Sequence, residues 1–127
     1  PLTVFPEIFE EMKQLEKLLI SDCQNLQSLP LSIAHLYNLK VIKLSKLEQL
    51  DSINFSFLEL TNLRRLEFSS LQKLTFIHPS LSDNNSLEDV KLNRLPELSI
   101  LPCFGANNTN LKEIDLNKLP KIDILPD

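Results

Sequence analysis

One apolar pattern recurs along this chain at a fixed step of 24 residues, and no other feature constrains the fold as strongly. Its frame is Leu-x-x-Leu-x-Leu, in which Ile, Val or Phe replaces some of the leucines. The five matches are Leu15/Leu18/Ile20, Leu39/Ile42/Leu44, Leu63/Leu66/Phe68, Leu87/Val90/Leu92 and Leu111/Ile114/Leu116. A unit of this length cannot bury its apolar side alone. The repeat therefore predicts tandem coils, numbered 1 to 5 by their frames, that stack around one continuous core.

Each frame alternates between apolar and polar residues at a period of two, which is typical of a strand with one buried face. In coil 2, Ile42 and Leu44 are predicted to point inward, and Lys43 outward. The predicted strands are Lys17–Ser21, Val41–Ser45, Arg65–Ser69, Asp89–Asn93 and Glu113–Asn117. Their predicted buried residues are Leu18, Ile20, Ile42, Leu44, Leu66, Phe68, Val90, Leu92, Ile114 and Leu116. Coils of one hand make these strands a parallel sheet with right-handed crossovers.

The second half of each repeat predicts the convex side of the solenoid, built from irregular chain and short helical or 3₁₀ segments. In the N-terminal half repeat, Pro6, Phe9 and Met12 recur every three residues, a spacing that suits a 3₁₀ turn beginning at proline. This apolar pattern weakens toward the C-terminus. Asn84-Asn85 and the segment 105–110 therefore predict irregular loops.

Two columns of residues, one polar and one apolar, are expected at the turns of the coils. The residues just before the frames are Gln14, Asn38, Asn62, Ser86 and Asn110, whose side chains are expected to hydrogen-bond neighbouring backbone. The residues eight positions into the frames are Cys23, Leu47, Leu71, Leu95 and Leu119. Both Cys and Leu behave as buried hydrophobes, so this second column predicts one more core residue per coil.

We expect a single repeat array over residues 1–127. It consists of a half repeat at 1–13, complete repeats at 14–37, 38–61, 62–85 and 86–109, and a partial repeat at 110–127. Neither end has the polar capping repeat that covers the end face of such a stack. The array is therefore expected to be a fragment of a longer solenoid.

Composition argues against two classes of partner. The chain has 13 Lys and Arg against 17 Asp and Glu, scattered singly through the repeats, so it lacks the basic stripe needed for nucleic-acid binding. No apolar run approaches the roughly 20 residues that span a bilayer, so membrane insertion is not expected.

The two cysteines, Cys23 and Cys103, lie three coils apart and are predicted to be free thiols, as in a reducing compartment. The sequons at Asn54, Asn84 and Asn107 are interpreted as chance triplets in an Asn-rich chain.

The stretch Leu26-x-x-Leu29-Pro30-x-x-Ile33-x-x-Leu36-x-Asn38-Leu39, with Cys23 upstream, resembles the leucine-rich-repeat domains of plant intracellular nucleotide-binding immune receptors. Leu-Pro-Glu-Leu at 95–98 and Leu-Pro-Lys-Ile at 119–122 look like the C-terminal repeats of the same receptors. The resemblance implies an α/β leucine-rich-repeat solenoid in the form of a horseshoe arc, with a concave parallel sheet. It also implies a cytoplasmic location and a role in ligand sensing or autoinhibition. The nucleotide-binding and signalling domains of that family are not in this sequence.

Catalysis is not expected, and neither a cofactor nor a metal site is predicted. Cys23, Cys103, His35 and His78 are the candidates, but their repeat positions do not form a nucleophile–base pair. His35 is interpreted as a solvated residue of the convex side.

A protein-binding surface is the better hypothesis, because outward strand residues form columns across the concave sheet. The candidate residues are Leu19, Val41, Lys43, Arg65, Glu67, Asp89 and Lys91. Leu19 and Val41 are the outward aliphatic residues, and beside Lys43 and Arg65 they make the best contact patch. The same columns also fit a solvated surface whose charges pair with each other.

The leading functional hypothesis is a non-enzymatic recognition module that binds a protein partner or another domain of its parent receptor. The alternative is the substrate-recognition region of a larger enzyme, such as a bacterial effector with a ubiquitin-ligase domain elsewhere. Flanking sequence would discriminate between them. A nucleotide-binding loop upstream favours the first, and a catalytic cysteine domain beside the repeats favours the second.

Overall fold

The computed structural model describes residues 12–105 and 107–122. It shows a parallel β-solenoid whose main sheet has five strands. These are β1 (Lys17–Ser21), β2 (Val41–Ser45), β4 (Arg65–Ser69), β6 (Asp89–Asn93) and β7 (Glu113–Asn117), in this order. Each strand residue pairs with the residue 24 positions later, as Leu18 does with Ile42 and Ile42 with Leu66. The predicted strands, their parallel pairing and the 24-residue period are confirmed.

The core runs continuously behind this sheet. Ile42, Leu44, Phe68, Val90 and Leu92 are fully buried. Leu47, Leu71 and Leu95 are fully buried as well, so the column eight positions into the frame extends the core in coils 2 to 4 as predicted. In the end coils the prediction holds only in part, because Cys23 and Leu119 are half-buried against the core.

The prediction of burial was wrong at the last strand. Ile114 is 41% exposed and Leu116 is only half-buried. β7 is the outermost strand of the sheet, and among the described residues no further coil packs against its far side. The two side chains therefore have apolar neighbours on one side only.

A second, smaller parallel sheet lies where coils 2 and 3 turn away from the main one. It pairs β3 (Ser52–Ile53) with β5 (Phe76–Ile77), again at a step of 24 residues. The inward residues Ile53 and Ile77 belong to the apolar column fourteen positions into the frame. The core of coils 2 and 3 is thus bounded by hydrogen-bonded backbone on two sides.

Among the described residues, the second halves of the repeats contain two 3₁₀ helices, Leu31–His35 and Pro79–Asp83. The first buries Ile33, which belongs to the apolar pattern of that segment. The second begins after His78, whose ring nitrogen accepts a hydrogen bond from the backbone N–H of Ser80 at 3.1 Å. The 3₁₀ turn expected in the half repeat 1–13 lies outside the described residues, apart from its last two.

Asn84-Asn85 and the described part of 105–110 contain no helix, as predicted, but the burial of Asn84 and Asn108 was not predicted. They occupy the place of Leu36 and Leu60 in earlier coils, and each is only 3% exposed. Asn84 Nδ2 donates to the carbonyls of Phe57 and Leu60, at 2.9 and 3.1 Å. Asn108 Nδ2 makes the equivalent bonds one coil later, to the carbonyls of Leu81 and Asn84 at 3.1 and 2.7 Å. A buried asparagine ladder replaces the leucine column in coils 3 and 4.

The polar residues before the frames also bind the preceding coil, as predicted for this corner. Asn38 Nδ2 donates to the Lys13 carbonyl at 2.7 Å, and Asn62 Nδ2 to the Tyr37 carbonyl at 2.9 Å. Asn110 Nδ2 makes the same bond to Asn85 at 2.7 Å. Where coil 4 has Ser86, the shorter side chain donates to the Leu63 carbonyl at 2.7 Å.

Each of the five main strands is followed by a residue with left-handed backbone, a feature that the sequence does not signal because none of these residues is glycine. They are Asp22, Lys46, Ser70, Arg94 and Lys118, with φ between 55° and 58°. The N–H of the first four donates to the last strand residue of the next coil, as in the 3.0 Å bond from Lys46 to the Ser69 carbonyl. The left-handed residue therefore continues the sheet ladder while the chain turns inward.

Replacing Leu66 with Ala is expected to lower the free energy of unfolding by about 2–5 kcal/mol, because Leu66 is 1% exposed in the middle of the stack. Ile114→Ala is the matched control and should cost clearly less, since that side chain is already 41% exposed. Urea denaturation of both variants measures the difference. A cost below about 1 kcal/mol for Leu66→Ala would contradict the core register.

Lys46→Val is expected to destabilise the fold by about 1 kcal/mol or more relative to Lys46→Gly. A β-branched side chain is strongly disfavoured at φ 55°, whereas glycine adopts this conformation freely. Lys46 is exposed, so neither change removes a packed side chain. Equal urea midpoints for the two variants would contradict the left-handed assignment.

Asn84→Leu restores the leucine of earlier coils, yet it is expected to lower the free energy of unfolding by at least about 2 kcal/mol. The change leaves the carbonyls of Phe57 and Leu60, and the N–H groups of Ser86 and Leu87, without their buried partner. Asn85→Leu, at the exposed neighbouring position, should change stability by less than about 0.5 kcal/mol. A stabilising effect of Asn84→Leu in thermal or urea unfolding would show that the ladder does not form.

Candidate protein-binding face

The outward residues of the five main strands form three columns on the solvent side of the sheet. The column at the strand ends is uncharged and consists of Ser21, Ser45, Ser69, Asn93 and Asn117. The other two columns form what we call the open face. One column is Lys17, Val41, Arg65, Asp89 and Glu113, and the other is Leu19, Lys43, Glu67, Lys91 and Asp115. All seven residues predicted for protein binding belong to these columns. The pairing register places them side by side on one surface.

Two ion pairs cross the open face between neighbouring strands. Lys43 Nζ lies 3.3 Å from Glu67 Oε2, and Arg65 Nε lies 3.5 Å from Asp89 Oδ2. The cationic side chains are 52% and 71% exposed, so solvent screens both pairs. Exposed pairs of this kind contribute about 0–1 kcal/mol each. The expected charge pairing within the columns is present, and it is weak enough for a partner to replace it.

A depression of about 400 Å³ lies in the middle of the open face. Six of the predicted residues line it, namely Val41, Lys43, Arg65, Glu67, Asp89 and Lys91. Leu19 lies outside it on β1, where it is 62% exposed. Glu113 lines the depression too and was missed, although it continues the column of Arg65 and Asp89.

A third charged column borders the open face at the residue before each strand, and it was not predicted as a site. Its residues are Glu16, Lys40, Arg64, Glu88 and Lys112. The carboxylate of Glu88 lies 3.3 Å from Lys112 Nζ and 3.7 Å from Arg64 Nε. At the other end of the column, Lys40 Nζ lies 3.0 Å from Glu16. Because carboxylates already occupy the space beside these cations, this border is a poor site for an added anion.

The residues considered for catalysis lie apart from one another. Cys23 and Cys103 are both free thiols, as predicted, and Cys23 Sγ contacts the Ser21 carbonyl at 3.5 Å. His35 is exposed and lies 3.3 Å from Glu59. In the described part of the chain, His, Cys, Asp and Glu side chains form no group that could hold a metal ion.

The structure contains a serine–histidine contact that was not predicted from the sequence. Ser80 Oγ lies 2.8 Å from His78 Nδ1, and it accepts a 2.8 Å hydrogen bond from the N–H of Phe57. Ser80 is 5% exposed, so its hydroxyl is closed to a substrate. The contact caps the 3₁₀ helix and joins coil 3 to coil 2.

The three sequons differ in accessibility. Asn54 and Asn107 are exposed, and Asn107 Nδ2 donates to Asp83 Oδ1 at 2.7 Å. Asn84 is buried with its amide committed to the asparagine ladder. The role of the Asn84 side chain is therefore to bind the preceding coil within the solenoid.

Comparisons of the chain with known protein families, with curated proteins and with solved structures find no match. No helix in residues 12–105 and 107–122 has the length and apolar character needed to cross a bilayer. A function must therefore be argued from the geometry of the open face.

Proposed function

We propose that this chain is a non-enzymatic recognition module whose open face binds a protein partner or another domain of its parent protein. The single observation that carries this proposal is the continuous surface formed by outward side chains from all five main strands. It includes a depression of about 400 Å³ that contains both charged and aliphatic groups. Binding through many such side chains requires none of them to do chemistry.

Rigidity behind the surface supports the same proposal. Between the outward residues stand Ile42, Leu66 and Val90, each at most 1% exposed. Every main strand is hydrogen-bonded to its neighbour along its full length. The open face is therefore held in one arrangement before a partner arrives, which reduces the ordering cost of binding.

The proposal extends to the type of protein. The chain is proposed to be a leucine-rich-repeat domain, with a horseshoe arc in the complete array, from a cytoplasmic immune receptor of the plant type. The motif around Leu29-Pro30 and Ile33 supports this, as do the 24-residue period and the two free thiols. In such a receptor the open face would sense a ligand or hold another domain of the same chain.

The test compares two triple variants that change the net charge equally. Leu19→Glu with Lys43→Glu and Arg65→Glu changes the open face. Leu58→Glu with Lys46→Glu and Lys73→Glu changes exposed residues elsewhere. Circular dichroism and urea unfolding establish that both variants are folded. A partner is first captured by crosslinking to the wild-type chain, identified and purified.

We expect the open-face variant to bind this partner at least about tenfold more weakly than the control, because a few central residues dominate most interfaces. Isothermal titration calorimetry measures both affinities. If the partner binds the open-face variant as tightly as it binds the control, the open face is not the binding site.

A further inference from the structure

Charge is distributed unevenly along the open face. In coils 1 to 3 it has three cations, Lys17, Lys43 and Arg65, and one carboxylate, Glu67. In coils 4 and 5 it has three carboxylates, Asp89, Glu113 and Asp115, and one cation, Lys91. The open face is therefore basic toward β1 and acidic toward β7, although its charges cancel as a whole.

The two ion pairs reinforce this polarity. In both the Lys43–Glu67 and the Arg65–Asp89 pair, the cation lies on the strand nearer β1 and the anion on the strand nearer β7. Two dipoles that point the same way add to each other. The pairing within the sheet therefore leaves the charge separation in place.

The ends of the open face hold charges without an ion-pair partner among the described residues. They are Lys17 at the β1 end, and Glu113 and Asp115 at the β7 end, and all three are exposed. Leu19 lies beside Lys17 and is 62% exposed. A complementary ligand would thus have an acidic and apolar end over β1 and β2, and a basic end over β7.

The described part of the open face matches the dimensions of an extended protein segment. Four inter-strand steps of about 4.8 Å give a width of about 19 Å, and a five-residue strand is about 16 Å long. An extended segment of about six residues spans the same width at about 3.3 Å per residue.

We infer that the partner presents a linear protein segment that lies across the strands of the open face. This inference rests on the proposed function. Acidic residues and an aliphatic side chain of this segment contact Lys17, Leu19 and Lys43. Its basic residues contact Glu113 and Asp115. The order of charges along the segment, and not its net charge, determines recognition.

Two labelled peptides of identical composition test the order of charges. One has separated charges, Asp-Asp-Leu-Ser-Ser-Lys-Lys, and the other has mixed charges, Asp-Lys-Ser-Leu-Ser-Lys-Asp. Fluorescence anisotropy is recorded at about 0.1 M and about 1 M salt, where the Debye length falls from roughly 10 Å to 3 Å. We expect the separated peptide to bind at least about tenfold more tightly at the lower salt, and this preference to disappear at the higher salt.

Two double variants test where the peptide binds. Glu113→Lys with Asp115→Lys makes the acidic end basic and should abolish the preference for the separated peptide. Glu48→Lys with Glu59→Lys makes the same charge change at exposed residues off the open face and should retain it. Equal affinities of the two peptides for the wild-type chain would overturn the inference. A preference that survives the first variant would also overturn it.

The outcomes separate this inference from the proposed function. If charge order has no effect but the captured partner still discriminates against the Leu19, Lys43 and Arg65 triple variant, only the linear segment is wrong. If the captured partner ignores that triple variant, the proposed function is wrong. A dimer that sediments as such and is lost in the Glu113 and Asp115 variant would place a second copy on the open face, and would likewise overturn the inference.

Discussion

Backbone hydrogen bonding between neighbouring coils is the constraint on which the rest of this structure depends. Each main strand pairs with the strands of the adjacent coils, so its N–H and C=O groups find partners about one repeat away along the chain. The left-handed residues extend this ladder beyond the strands, and the asparagine side chains make similar bonds between coils in the second half of the repeats. The apolar core supplies the driving force, but the hydrogen bonds determine the register at which it packs.

That register also determines the surface. Because Val41 pairs with Arg65 and Arg65 with Asp89, residues distant in sequence become neighbours in a column. An outward residue is free to vary in chemistry without disturbing the ladder, since its side chain takes no part in it. The solenoid therefore separates two tasks: inward residues specify the fold, and outward residues specify a charge pattern.

The strands and most of the core could be predicted from the sequence because an apolar period reports burial directly, and the columns of the open face follow from the same period. The left-handed backbone at Lys46 and Arg94 could not be predicted from the sequence, because both residue types are common at exposed positions of any conformation. The burial of Asn84 could not be predicted for a related reason. An asparagine in an apolar column indicates a loop unless the carbonyls of the preceding coil are known to lie within reach. Ile114 follows the pattern perfectly, yet its burial depends on a neighbour that the pattern does not describe.

The asparagine ladder has a consequence for how such an array changes length. The groups that accept from Asn84 and Asn108 are main-chain carbonyls, which every coil presents at the same two positions whatever its side chains are. Removal or duplication of one whole repeat by unequal recombination would therefore leave each asparagine facing equivalent acceptors. Insertion of a single residue would shift them out of reach and turn alternate side chains to the wrong side of the sheet. A gene encoding this solenoid can change its number of repeats far more easily than their length.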